Sequence, residues 1–140
     1  MIKEVEAFLT EINNRSKLIR IILRYRDNPP EVVVESNIFN TIKTEGIDLL
    51  ECFQKLQITI EEKGYLLALN GSRKDIQASG FLRDSTNGIS TYLLSEDFDS
   101  EKTILNIFNY YNGPKLGTIE EQKEYYKKWK MMYKSFLKNK

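Results

Sequence analysis

Apolar and charged residues alternate near the start of the chain at a spacing typical of a helix. The apolar positions recur every three or four residues, and charged residues lie between them. Residues spaced in this way share one face of an α-helix. The pattern predicts a short amphipathic helix over residues 2–14. Its apolar positions are Ile2, Val5, Phe8 or Leu9, and Ile12.

The next two segments have the composition of β-strands. Residues 17–25, KLIRIILRY, are rich in β-branched side chains and mix apolar with basic positions, which suits a strand buried mainly on one face. The following RDNPP interrupts this strand, because proline donates no ladder hydrogen bond and Asp and Asn favour turns. A second strand is expected at residues 31–36, EVVVES, and it either continues or bends through residues 37–43.

A helical pattern begins after Gly46. Apolar side chains there fall on one face of a helix, with charged side chains opposite. We therefore expect a helix over about residues 47–63 that lies on a sheet, and Gly64 is a suitable stop. The apolar face consists of Leu49, Leu50, Phe53, Leu56 and Ile60.

Three short apolar runs in the second half of the chain predict further strands. Residues 65–70, YLLALN, have the apolar character of a central strand, and residues 89–95, ISTYLLS, are expected to be its neighbour across the intervening loop. Residues 103–109, TILNIFN, predict another strand. A capping box at Thr118–Glu121 then predicts a final helix from about residue 119 to about residue 137.

The order of these elements predicts an α+β fold. We expect a mostly antiparallel sheet of about five strands, with N-terminal, central and C-terminal helices packed mainly on one face. The sequence contains no internal repeat, no low-complexity segment and no linker long enough to divide it. Residues 1–140 are therefore expected to form a single domain.

Charge is balanced over the chain but unevenly distributed. The formal net charge is +1 and 29% of the residues are charged, as in ordinary soluble globular proteins, so no strong overall attraction to nucleic acid or membranes is expected. Residues 114–140 carry a net charge of +5, whereas residues 1–113 carry −4. The basic character is thus concentrated towards the C-terminus.

The residue types that the chain lacks restrict its chemistry. It has no histidine and one cysteine, Cys52. Histidine-based acid–base catalysis, nucleophiles activated by histidine, thiolate zinc sites and an internal disulfide are therefore excluded, and we expect no cofactor and no metal. No secretory signal or membrane-spanning run is recognisable, so the cytoplasm is the expected compartment.

The predicted C-terminal helix combines an aromatic face with a row of lysines, and it allows two interpretations. In the first, the aromatic face docks the helix onto the sheet, with lysines along its edge, which is the commoner use of such a pattern. Alternatively, the lysines follow a phosphate backbone and the aromatic rings stack on bases, as in an accessory nucleic-acid-binding protein. The aromatic face holds Tyr125, Tyr126, Trp129, Met132, Tyr133 and Phe136, and the row holds Lys123, Lys127, Lys130, Lys134 and Lys138.

A charged segment at residues 70–88, NGSRKDIQASGFLRDSTNG, separates two of the predicted strands and is far longer than a hairpin requires. One interpretation is an internally bridged loop, since Arg73 and Asp75 can pair on one face of an extended chain. The other is a charged patch presented to a partner, because loops on a rigid sheet often carry recognition. The patch would consist of Asn70, Arg73, Lys74, Asp75, Arg83 and Asp84.

The same segment carries a resemblance to a known group of proteins. Three later stretches, NGISTYLL, IFN and GTIEEQKEYYKKW, contribute to it. Together they make residues 46–130, approximately, resemble a family of small uncharacterised bacterial proteins. That family has an Asn-Gly-x-Arg-x-Asp motif, then Ser-Gly and Arg-Asp, and a closing helix rich in aromatic residues. This chain has only STNG where the family often has an additional glycine run. The matching residues are Asn70, Arg73, Asp75, Ser79, Gly80, Arg83 and Asp84.

The resemblance implies a binding function. Small bacterial proteins of this kind are often immunity proteins of contact-dependent inhibition or other polymorphic toxin systems, and the matching residues would shape the loop or contact the toxin. We therefore expect a non-catalytic module that occludes the active site of a cognate toxin. A nuclease toxin would favour an acidic contact surface. The nearest supply of acids is Glu96, Asp97, Asp99 and Glu101.

Two other functions stay open at this point. The first is the nucleic-acid-binding protein that uses the lysine row. The second is an enzyme that works without histidine through Arg73, Asp75 and Asp84, which requires these side chains to meet in a concave pocket.

Overall fold

The larger of two β-sheets has five strands, all antiparallel to their neighbours, in the order β4-β3-β2-β1-β5. The computed structural model describes all of residues 1–140. Residues 14–27 form one long strand, and the chain turns at residues 28–29 before the next strand begins at a proline. The strands are β1 (Ile2–Glu11), β2 (Asn14–Asp27), β3 (Pro30–Glu35), β4 (Ile42–Glu45) and β5 (Tyr65–Leu67).

A second, smaller sheet and three helices complete the fold. The smaller sheet has three antiparallel strands in the order β6-β7-β8, and its strands are β6 (Ile76–Gln77), β7 (Ser90–Leu93) and β8 (Ile104–Asn106). The helices are α1 (Leu49–Glu62), α2 (Gly80–Thr86) and α3 (Ile119–Lys138). The predicted α+β class with an antiparallel five-stranded sheet is confirmed.

The predicted N-terminal helix is wrong, because residues 2–11 form β1 and pair with β2 from Ile2 opposite Arg26 onwards. The apolar residues of this segment fit both the two-residue period of a strand and the period of a helix. Val5, Ala7 and Leu9 lie at every second position and face the core, while the positions three or four apart also fit a helix. Pairing with a long strand decided between the two periods, as tertiary context often overrides local pattern.

The core lies between the larger sheet and α1. Leu49, Phe53, Leu56 and Ile60 of α1 are fully buried against side chains from the inner face of the sheet. Gly64 follows the helix with φ = 91°, a left-handed conformation that suits glycine, so the predicted stop is confirmed. The inner face of the sheet contributes Ala7, Leu9, Ile21, Leu23, Tyr25, Val32 and Val34.

The outer face of the larger sheet carries ion pairs instead of a second layer. Arg24 on β2 bridges Glu4 on β1 and Glu35 on β3, at 3.1 and 2.9 Å. Lys43 on β4 contacts Glu31 on β3 at 3.2 Å. Cross-strand pairs of opposite charge occupy part of this face, and a helix covers the sheet on the other side only.

The expected pairing between the strand at residues 65–70 and the strand at residues 89–95 is wrong. β5 pairs with β1 in the larger sheet, whereas β7 lies between β6 and β8 in the smaller sheet. The backbone beyond β5 turns away as a 3₁₀ helix at Asn70–Ser72, and the segment that follows supplies β6 as the neighbour of β7.

Candidate functional site

Residues 70–88 form ordered structure instead of a free loop. A 3₁₀ turn, β6 and α2 follow one another, and Asn70 is buried with its side-chain amide donating to the Asn106 carbonyl at 3.1 Å. Asn87 ends α2 in a left-handed conformation. Gly88 follows with φ = 80°, and a Cβ there would lie 2.6 Å from the Leu50 backbone nitrogen, so only glycine fits. This segment is therefore fixed against α1.

Arg73 and Asp75 pair with each other inside this segment. The guanidinium donates from Nε to Asp75 Oδ1 at 2.8 Å and from Nη2 to Oδ2 at 2.9 Å, and the two side chains are 16% and 7% exposed. The hydrogen bonds to Asp75 raise the pKa of Arg73 above its ordinary value. The guanidinium carbon also lies 4.2 Å from the centre of the Tyr111 ring. Each charge is thus paired within the chain.

Arg83 likewise pairs within the fold. Its Nε and Nη2 atoms donate to the Asp48 carboxylate at 2.8 and 3.0 Å, and Asp48 is the N-cap of α1, accepting from the Glu51 amide at 2.8 Å. Desolvation acts to raise the pKa of Asp48, but the hydrogen bonds from Arg83 and the Glu51 amide, with the charge of Arg83, hold it below its ordinary value. This pair ties α2 to the start of α1.

The remaining charged residues of the segment do not join these pairs. The Lys74 backbone amide donates to the Lys115 carbonyl, at 2.6 Å, and Asp84 is exposed on α2 without an ion pair. The three cavities whose linings the structure defines are lined by neither Arg73 nor Asp75 nor Asp84. The geometry that the enzyme interpretation requires does not occur in those cavities.

The N-terminus of α3 is held firmly to the body of the protein. The predicted capping box is confirmed, because Thr118 Oγ1 accepts from the Glu121 amide and Glu121 Oε1 accepts from the Thr118 amide, at 3.1 and 3.0 Å. The hydrogen bond from the Thr118 amide lowers the pKa of Glu121. Burial acts in the opposite direction, and the hydrogen bond and charge of Arg15 lower the pKa further. The Glu61 carboxylate accepts from the Ile119 amide at 3.0 Å, while burial raises the pKa of Glu61.

Beyond this anchor, α3 contains no buried residue. The prediction that its aromatic face docks onto the sheet as core is therefore wrong. The face packs instead on Phe98, which lies in the connection between β7 and β8. The Phe98 ring centre is 5.7 Å from that of Trp129, 5.4 Å from Tyr133 and 5.1 Å from Phe136. Trp129 Nε1 donates to the Ser95 carbonyl at 2.8 Å, which fixes the start of the same connection.

The predicted lysine row on α3 is exposed along its whole length. None of its five side chains forms an ion pair, although Lys130 Nζ lies 5.3 Å from the centre of the Tyr126 ring. The ion pair at this end of the protein joins Lys140, outside the row, to Asp99 at 3.1 Å. The members of the row are Lys123, Lys127, Lys130, Lys134 and Lys138.

The four predicted acidic residues lie on an exposed segment, residues 96–101, that Phe98 fastens to α3. Asp97 Oδ1 accepts from the Asp99 amide at 3.3 Å, and the Asp97 carbonyl accepts from Ser100 Oγ at 2.8 Å. We call residues 96–101 the acidic segment. Glu96, Asp97 and Glu101 form no ion pair, so their carboxylates are free to meet a partner.

Three cavities adjoin α3; one lies beside its first turns and Glu61, and the other two border the candidate site. The glutamine groove, about 600 Å³, runs between α1, residues 76–80 and the first turns of α3, and it is lined by the side chains of Gln54, Gln57, Gln77 and Gln122. Thr91 also lines it, and its hydroxyl is buried without a hydrogen-bond partner. The aromatic cavity, about 400 Å³, lies between the acidic segment and α3. Its rings are those of Tyr92, Phe98, Tyr126, Trp129 and Tyr133.

Some contacts of this region carried no clear sequence signal. Phe98 is a single aromatic residue among acids, and nothing in its surroundings distinguishes it from a surface residue. Asp48 could have been recognised as an N-cap because it directly precedes an apolar helical run. Its pairing with Arg83 could not, since the two residues are 35 positions apart.

The one cysteine is not available as a nucleophile. Cys52 is fully buried in the core, and burial raises the pKa of its thiol to about 11. The thiol is therefore almost wholly protonated at neutral pH, whereas the thiolate is the reactive form.

At the level of the whole chain, no three or more Cys, Asp and Glu side chains lie close enough together to hold a metal ion. None of the helices combines the length and the apolar character that crossing a membrane requires. The chain matches no model of a known protein family and no curated protein.

Proposed function

We propose that this protein is a non-catalytic protein-binding module, specifically a bacterial immunity protein that acts in the cytoplasm. It neutralises a cognate toxin by covering the toxin's active site. The observation that carries the proposal is the acidic segment: its carboxylates are exposed and largely unpaired, yet the segment is held in place by Phe98 and by the Trp129–Ser95 hydrogen bond.

Preorganised charge suits this task. A toxin that acts on nucleic acid has a basic active site, and carboxylates in fixed positions complement such a site. A surface that is already ordered loses less conformational entropy on binding than a mobile loop does. The acidic segment meets both conditions, because its charges are exposed while its backbone is anchored on α3.

The charged segment at residues 70–88 has a supporting part in this proposal. Arg73 and Arg83 are each bonded to an internal carboxylate, so their removal would alter the fold before it altered a contact. Lys74 and Asp84 are the members of the predicted patch that remain available to a partner. We therefore assign the principal contact to the acidic segment.

The experiment is co-expression with the toxin domain encoded by a neighbouring reading frame. Cells that produce the toxin should survive when the wild-type chain is present. The variant Asp97→Asn/Glu101→Gln should protect them less, because it removes two unpaired carboxylates from the segment. Asp27→Asn/Glu62→Gln is a matched control, since both residues are exposed, unpaired and outside the segment. Full protection by the Asp97/Glu101 variant would remove the acidic segment from the proposal.

A second candidate function is nucleic-acid binding through the lysine row of α3. The observation that favours it is that all five lysines are exposed and lack acidic partners on a helix with no buried residue. Such a row can follow a phosphate backbone, and its binding would weaken steeply with salt. Retention of single-stranded DNA or RNA at low salt that Lys127→Glu/Lys130→Glu/Lys134→Glu abolishes would support it, and no retention at low salt would exclude it.

A further inference from the structure

We propose that the aromatic cavity binds the guanidinium group of an arginine side chain. The source of that arginine is a protein partner, and this part of the inference rests on the proposed function. The cavity would then be the anchor point of the interface, with the surrounding acidic segment as its rim.

The lining of the cavity is the first reason. Five aromatic rings come from three separate elements: Tyr92 from β7, Phe98 from the acidic segment, and the remaining three from α3. Cations are attracted to aromatic rings, with tryptophan the most favourable of them. A cavity of about 400 Å³ has room for the end of one long side chain.

The charges around the cavity are the second reason. Asp97 and Glu101 line it and form no ion pair, and the one basic side chain in the lining is Lys102, so the lining carries a net charge of −1. An anionic ligand would be repelled here. An apolar ligand would desolvate two carboxylates without compensating them, which is unfavourable.

The chain already places two lysines against these rings: Lys130 Nζ lies 5.3 Å from the centre of the Tyr126 ring, and Lys102 lies nearer to Tyr92. Lys102 Nζ lies 4.8 Å from the centre of the Tyr92 ring. This contact indicates that the ring system accommodates positive charge, and it also means that Lys102 competes electrostatically with an incoming cation. Arginine is favoured over lysine as the ligand, because a planar guanidinium both stacks on aromatic rings and forms paired hydrogen bonds with a carboxylate.

The test is a titration of the full chain with N-acetyl-L-arginine amide, in which the fluorescence of Trp129 is measured at each ligand concentration. This residue is the only tryptophan of the chain and it lines the cavity, so the signal reports the site directly. N-acetyl-L-citrulline amide, which has almost the same shape but no charge, is the matched ligand. We expect a saturable change with the arginine derivative and at least fivefold weaker binding of the citrulline derivative.

Variants locate the binding. Asp97→Asn/Glu101→Gln should weaken binding of the arginine derivative about tenfold, which corresponds to about 1.4 kcal/mol. Lys102→Gln should strengthen it by removing the competing charge. Glu96→Gln/Asp99→Asn changes the same segment by the same charge outside the cavity and should leave binding within twofold. Near-ultraviolet circular dichroism checks that each variant keeps the wild-type fold.

Three results would overturn the inference: no saturable response to the arginine derivative, equal binding of the citrulline derivative, or equal losses in the Asp97/Glu101 and Glu96/Asp99 variants. The titration uses no protein partner, so failure of the proposed function would not change its result. A negative titration, in turn, would leave the exposed carboxylates of the acidic segment available as a contact surface.

Discussion

Arg83 holds both oxygens of the Asp48 carboxylate, through hydrogen bonds of 2.8 and 3.0 Å, while the same carboxylate caps α1. One interaction therefore fixes the ends of two helices. The side chains differ in exposure, at 32% for Arg83 and 9% for Asp48. Loss of the arginine would leave a nearly buried carboxylate with only the α1 amides as partners.

The first prediction concerns this pair. Arg83→Met should lower the free energy of unfolding at neutral pH by about 2 kcal/mol, as expected for hydrogen bonds to a charged group. Urea denaturation of the variant and the wild type measures the difference. Arg83→Lys serves as the control that keeps the charge without the paired geometry, and it should recover only part of the loss.

The same comparison has a definite pH dependence. Because the pKa of Asp48 is lower in the folded than in the unfolded state, its contribution to stability is present above the unfolded value, about 4, and is lost as the pH falls through the folded value. The difference in the free energy of unfolding between Arg83→Met and the wild type should therefore become smaller as the pH falls below about 4. A gap of constant size from neutral to strongly acidic pH would contradict the assignment.

The second prediction concerns Arg73 and Asp75. Arg73→Met should lower the free energy of unfolding by about 3–5 kcal/mol, because it leaves the buried Asp75 carboxylate without a partner. The double variant Arg73→Met/Asp75→Asn should be more stable than Arg73→Met alone, since no unpaired charge remains. Urea denaturation of the wild type, Arg73→Met, Asp75→Asn and the double variant gives the coupling free energy between the two side chains. Strictly additive effects would show that the two side chains do not interact.

The third prediction concerns the Thr91 hydroxyl, which is buried without a hydrogen-bond partner. Thr91→Val keeps the shape and the β-branch that suits a strand, and it removes the unpaired polar group. We expect the free energy of unfolding to rise by about 1 kcal/mol. Thermal and urea denaturation test this. A fall in the free energy of unfolding of similar size would mean that the hydroxyl has a hydrogen-bond partner in solution, such as water in the glutamine groove.

The fourth prediction separates the acidic segment from the main core. Phe98→Ala should shift Trp129 emission to longer wavelength and speed hydrogen exchange of residues 95–101. It should lower the free energy of unfolding by less than about 2 kcal/mol, because Phe98 is only partly buried. Phe53→Ala, a truncation of a fully buried ring of α1, should lower it by about 3–5 kcal/mol. Comparable losses from both truncations would mean that α3 and its aromatic partners belong to the main cooperative unit.

The elements predicted correctly are those whose local pattern has a single interpretation. The apolar face of α1 and the capping box of α3 depend on residues close together in the chain, and both were predicted near their observed bounds. β1 was missed because its apolar residues fit a strand and a helix equally well. The pairing partners of β5 and β7 were missed because the choice of a neighbouring strand depends on contacts between residues far apart in the chain.

The candidate site shows the same limit. Arg73 and Asp75 are only two positions apart in the chain, so their pairing could be foreseen as one of two interpretations, although a turn at residues 74–75 joins them and not the extended backbone expected. The contact of α3 with Phe98 could not, because an aromatic face at helical spacing does not reveal whether a sheet or a single loop residue covers it. The aromatic cavity was therefore visible only in three dimensions.

The most direct test of the proposed function is a calorimetric titration of the chain with the purified, catalytically inactive toxin domain encoded beside it. The wild-type chain should bind one-to-one, and Lys127→Glu/Lys130→Glu/Lys134→Glu should bind with similar affinity. Asp97→Asn/Glu101→Gln should bind at least tenfold more weakly. Absence of binding by the wild-type chain, or a loss confined to the lysine variant, would contradict a protein-binding module that works through the acidic segment.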